Sequence, residues 1–90
     1  MTPKEQDELY QTMRATFPAW TFRFTSGYVH GRNDEPEQGQ PDAVYVEADD
    51  DYALGYKTGF AVARGADADI EPWFERVAAQ VQEVRQCLGS

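Results

Sequence analysis

Nucleophilic catalysis needs a nucleophile held against a base, and this sequence contains one histidine, His30, and one cysteine, Cys87. Ser26 lies four residues before His30. On an extended strand that spacing amounts to about 13 Å, too far to share a proton. His30 therefore reads as a partly exposed strand-end residue. Cys87 has no second histidine to serve it and reads as a small apolar residue near a helix end. One cysteine and one histidine cannot build a zinc site. Two acidic groups, Asp49-Asp50-Asp51 and the Asp67, Asp69, Glu71 set, invite comparison with a calcium loop, which needs glycine sixth and glutamate twelfth. Counted from Asp49 the twelfth residue is Phe60; counted from Asp67 the sixth is Pro72 and the twelfth Ala78. Neither fits. Glu47 beside Asp49–Asp51 offers carboxylates for acid–base work, with nothing in the pattern to desolvate them. Neither GxGxxG nor GxxxxGK[ST] occurs. No catalytic residue, metal ligand or cofactor site is expected.

What remains is a constellation of charge. Asp34, Glu35, Glu37, Asp42, Glu47, Asp49, Asp50 and Asp51 are eight acids with no base among them, half of the chain's sixteen. A bland role is a solvated surface that maintains solubility. The sharper expectation is a partner-binding surface for a protein with a basic face, guided by the long-range field. Inhibition of a nucleic-acid-binding partner by charge imitation is one form of it. The net charge of -8 and pI near 4.4 oppose direct nucleic-acid binding, which needs Lys and Arg to replace counterions, and adsorption to an anionic membrane. The expected function is thus a non-enzymatic protein-interaction module. Two alternatives stand beside it: a small enzyme or enzyme subunit using carboxylates and a divalent cation, and a structural homodimer with no ligand.

Several elements must position these residues. Thr2, Pro3 and Glu5 form the capping-box start of a helix over Pro3–Thr16, with Leu9, Met13 and Phe17 as its buried stripe and Pro18 beyond its end. Trp20 to His30 alternates: Trp20, Phe22, Phe24, Ser26, Tyr28 and His30 against Thr21, Arg23 and Thr25. That period predicts a half-buried strand. Residues 31–41 carry no apolar side chain and predict a flexible loop. Ala43–Glu47 predicts the second strand of a long hairpin, with Val44 and Val46 inward. Tyr52 to Arg64 fits either period. Asp50 and Asp51 before it and Arg64-Gly65 at its end favour a helix, with Gly55 and Gly59 as a small-residue groove and Lys57 and Arg64 on one exposed side. Ile70–Leu88 predicts the last helix, with Phe74, Val77, Val81, Val84 and Leu88 spaced by three and four and Trp73 and Ala78 beside them.

The expected fold is therefore one small α+β domain over residues 1–90, helix–β-hairpin–helix–helix, with a helix–three-stranded antiparallel meander–helix as the alternative. The stripe of the last helix has the average period of a coiled-coil seam, so a homodimer through that helix follows if the face is free. The opening MTPKEQDELY has no apolar core of a secretory signal. A lone cysteine implies no oxidising compartment, and no apolar run reaches membrane-spanning length. A cytoplasmic location is expected.

Overall fold

The computed structural model describes residues 1–89. It is helical throughout: α1 (Pro3–Thr16), α2 (Phe22–Gln38), α3 (Ala43–Glu47), α4 (Asp51–Arg64) and α5 (Ala78–Gly89), with 3-10 segments at Gly65–Ile70 and Pro72–Val77 between the last two helices. Among the described residues there is no strand. The expected α+β class, in both its hairpin and its meander form, is overturned.

The correction falls on α2 and α3. Thr21 caps α2 by accepting from the Phe24 amide at 3.0 Å, and the helix buries Phe24, Gly27, Tyr28, Gly31 and Asp34. Those positions recur at three and four, the helical period. Residues of the supposed inward strand face scatter instead: Phe22 is 66% exposed. Gly31 to Gln38, expected as loop, continues the helix despite Pro36, whose ring removes only one backbone donor so close to the end. Gly39 closes it at φ 72, its amide bonded to the Glu35 carbonyl at 2.9 Å; the left-handed conformation suits a residue without Cβ. Ala43–Glu47 is a short helix rather than a strand. Asp42 caps it through the Val44 amide at 3.0 Å.

The physical reason for α2 lies across from it. Gly27 and Gly31 face the backbone of α4, and Gly55 and Gly59 face the backbone of α2. A Cβ built on any of the four would fall on a carbonyl oxygen of the opposite helix: Tyr52, Tyr56, Phe24 and Tyr28 respectively. Two helices can approach this closely only where small residues line both. The reciprocal glycines join α2 and α4 into a pair around which the rest is arranged. Long-range packing thus overrides the strand propensity of Trp, Phe and Thr.

Two apolar clusters flank this pair. One joins Tyr56 and Phe60 of α4 to Ala68, Trp73, Phe74, Val77 and Val81. The other joins Met13 of α1, Tyr28 of α2 and Val84 of α5, with Leu9, Phe17 and Trp20 beside them. The α1 capping box is present, Thr2 and Glu5 exchanging bonds of 2.9 and 3.2 Å. The expected single helix over Ile70–Leu88 is instead a 3-10 segment, Pro72–Val77, followed by α5. Phe74, Val77, Val81 and Val84 of its stripe are buried inside the chain, while Leu88 is exposed. No helix among the described residues is long and apolar enough to cross a membrane.

Candidate functional site

The eight acids that cluster between positions 34 and 51 of the sequence separate in space. Asp34 is buried, accepting the Tyr56 hydroxyl at 2.7 Å. Glu35 lies 3.9 Å from the Arg64 guanidinium, which also pairs with Glu71 at 3.1 Å and bonds the Gly39 carbonyl. Glu37 sits 3.7 Å from the N-terminal ammonium. Asp49 pairs with Arg76 at 2.5 Å and with Lys57 at 3.3 Å. The Arg76 bond holds its carboxyl below the usual aspartate range. Asp50 pairs with Arg23 at 3.2 Å, and Asp51 accepts the Thr21 hydroxyl at 3.1 Å. Among the described residues, Asp42 and Glu47 pair with no cation.

Those two acids bracket α3, and α3 is held firmly from beneath. The Asp42 amide donates to the Tyr56 hydroxyl at 3.0 Å. Tyr45 packs against His30, Tyr52 and Tyr56, with centroids 4.7 to 5.4 Å apart. At the other end Lys57, fully buried, donates to the carbonyls of Val46 at 3.3 Å and Ala48 at 2.5 Å. A cation from α4 thus satisfies the carbonyls that end α3, where a helix leaves them unpaired and its dipole is negative. The outward side carries Val44, 68% exposed. Beside it Val46, Glu47, Pro72, Trp73 and Arg76 line a shallow cleft of about 310 Å³. The result is a rigid mount with an apolar side chain between two uncompensated carboxylates, next to an aromatic-floored depression.

His30 belongs to a separate, inward network. His30 Nδ1 shares a hydrogen bond with the Tyr52 hydroxyl at 3.0 Å, and Nε2 lies 3.3 Å from Asp34 Oδ2. Its partners follow from its placement on α2, where Asp34 lies one turn on; the strand spacing expected from the sequence is absent. Carboxylate, imidazole and phenol in line resemble a relay that activates a nucleophile. The phenols argue otherwise. Burial raises both Tyr52 and Tyr56, and for Tyr56 the bond to Asp34 raises it further. A phenol so placed keeps its proton, whereas an activated nucleophile needs the opposite shift. The network therefore ties α2, α3 and α4 together. Among the described residues no three His, Cys, Asp or Glu side chains gather as a metal site would require.

No protein-family model, no curated protein and no solved structure matches this chain. The site therefore rests on its own geometry.

Three of its parts escaped the sequence reading. Val44 was expected inward on a strand, Lys57 on an exposed helix side, and Trp73 only as a neighbour of the last helix stripe. No local signal marked Lys57: two residues from each of Gly55 and Gly59, it lies on the side of α4 away from α2, and it is buried by α3 and the residues after it.

Proposed function

We propose that this chain is a non-enzymatic protein-interaction module that binds a basic protein surface through α3. The observation that carries it is the pairing of an exposed Val44 with Asp42 and Glu47, two acids of the run that no cation holds, on a helix pinned by Tyr56 and Lys57. An apolar anchor ringed by charge on a rigid support is the composition of an interaction surface. The same geometry relocates the test. Reversing Asp49 would break its bonds to Lys57 and Arg76, and changing Asp42 would remove the cap of α3, whereas Glu47 can change outwardly.

The test is affinity capture of the tagged chain from its native host, with mass spectrometry, compared between wild type, Val44→Ser and the Glu47→Lys variant. Circular dichroism establishes that each variant is folded. One partner should be captured by wild type, be lost from both variants, and fall away as salt rises. A partner that binds both variants as fully as wild type refutes the α3 surface. If that partner releases bound nucleic acid on capture, the interaction is inhibition by charge imitation.

A further inference from the structure

We propose that a second cleft, between the start of α2, the start of α4 and the middle of α5, binds an alkylammonium group. The cleft is about 370 Å³, within the range of small-ligand sites, and its lining includes Trp20, Phe24 and Leu54 as the apolar part and Thr21, Asp51 and Glu83 as the polar part. No lysine or arginine lines it. Among the described residues Glu83 has no ion-pair partner, and Asp51 has only the Thr21 hydroxyl at 3.1 Å, a bond that orients one carboxylate oxygen and leaves the other. Arg23, the nearest arginine in sequence, is engaged with Asp50.

The aromatic wall is fixed in advance. Trp20 stacks on Phe17 at 4.5 Å with an interplanar angle of 9°, and leans on Phe24 at 4.6 Å and Tyr28 at 5.4 Å. Its carbonyl accepts from Arg14 at 2.6 Å. An indole held this way offers apolar area at no cost in side-chain freedom. Two carboxylates beside aromatic and aliphatic carbon match a ligand with a hydrocarbon stem and a cationic tip: the stem packs on Trp20 and Leu54, and the ammonium meets Asp51 and Glu83. A neutral tip would gain nothing from the two exposed carboxylates, and an anionic one would be repelled by them. The ammonium has two sources, a lysine side chain of a protein or a free diamine. This inference does not depend on the α3 surface, because the cleft acts on the small ligand alone.

The test is a titration of the isotope-labelled chain followed by NMR, reading the Trp20 indole N–H and the Asp51 and Glu83 amides. The ligands are Nα-acetyl-lysine-N-methylamide, cadaverine and the neutral Nα-acetyl-norleucine-N-methylamide. For ligands of this size the dissociation constant expected is about 1–10 mM. Tighter binding of the lysine derivative points to a protein side chain, tighter binding of cadaverine to a free amine, and either supports the cleft. Asp51→Asn with Glu83→Gln, which keep shape and the Thr21 bond, should weaken binding about tenfold. The proposal is overturned if the norleucine derivative binds as well as lysine in the wild-type chain, if the double variant binds undiminished, or if the amines leave the Trp20 signal unmoved. None of these outcomes bears on Val44 or Glu47.

Discussion

A single methyl group placed at Gly59 should reverse its usual sign. In an ordinary helix interior, alanine in place of glycine stabilises by about 1 kcal/mol, because the unfolded chain loses freedom. At Gly59 the added carbon lands on the Tyr28 carbonyl oxygen and within 3.0 Å of the Arg32 nitrogen. Both are backbone, so neither can turn aside. An unstrained C···O contact needs about 3.3 Å, so α2 and α4 must part by more than about 1 Å. A gap of that size forfeits a quarter to a half of the dispersion energy across the contact. The contact carries Tyr28, Tyr56 and Phe60, all fully buried. Overpacking of this kind costs about 1–3 kcal/mol, occasionally more, so we expect Gly59→Ala to destabilise by about 3 kcal/mol. A chain of this length has about 5–13 kcal/mol in total. Thermal unfolding followed by circular dichroism should show Tm falling by about 10–25 °C. Gly89→Ala, which meets nothing within 4 Å, should stay within about 0.5 kcal/mol of wild type. Adding Gly31→Ala to Gly59→Ala should cost less than the two singles summed, since helices already parted have room for the second methyl. A Gly59→Ala protein as stable as wild type, or more so, would show that α2 and α4 do not meet backbone to backbone.

Lys57→Met should cost about 2–4 kcal/mol, because removing the buried ammonium leaves the Val46 and Ala48 carbonyls without their donor; hydrogen exchange should speed up first in α3 and the residues after it, and unchanged exchange there would refute the capping role. Stability should fall above about pH 10, where tyrosines of the unfolded chain ionise. Burial raises Tyr28, Tyr52 and Tyr56 in the folded chain, so the unfolded state releases its protons first, and the stabilisation present below that pH is lost as pH rises through the folded values. Tyr56→Phe should be less stable at neutral pH yet show a shallower alkaline decline in urea midpoint, and parallel declines would exclude Tyr56 as a contributor.

The elements whose signals are local were legible in the sequence. The capping box placed α1 at Thr2–Glu5, and the aspartates before Tyr52 with Arg64-Gly65 after it placed α4. The elements whose signals are tertiary were not. Trp20 to His30 carries strand-forming residues at a period of two, and only the match of Gly27 and Gly31 with Gly55 and Gly59 indicates a helix that must lie against another. Each glycine pair alone weakens a helix; together they remove the side chains that would keep two helices apart. Ala43–Glu47 has the same ambiguity in five residues, settled by an aspartate cap at one end and a lysine from α4 at the other. The candidate site was half legible. The acidic run was visible as a run, but its members point to different neighbours, which depends on the helix phase that the strand assignment hid.

Helix phase also determines which charges remain for a partner. Seven of the eight basic side chains are engaged inside the fold: Arg14 with the Trp20 carbonyl, Arg23 with Asp50, Arg32 with the Tyr28 hydroxyl, Lys57 with the carbonyls after α3, Arg64 with Glu71, Arg76 with Asp49 and Arg85 with Asp69. Four of the sixteen acids, Asp49, Asp50, Asp69 and Glu71, are compensated in these pairs and contribute little field at a distance. The excess of acids over bases is therefore concentrated on carboxylates that no cation holds, and Asp42, Glu47, Asp51 and Glu83 are among them. The first two flank the exposed Val44; the last two line the Trp20 cleft. A basic partner would be drawn by the whole field, which salt screens over about 8–10 Å, but would be retained by contacts at these carboxylates and the apolar groups beside them. Salt should accordingly slow association with the wild-type chain, whereas Val44→Ser should leave association nearly unchanged and hasten dissociation. Equal effects of salt and of Val44→Ser on both rates would mean that charge alone, and not the shape of α3, makes the surface.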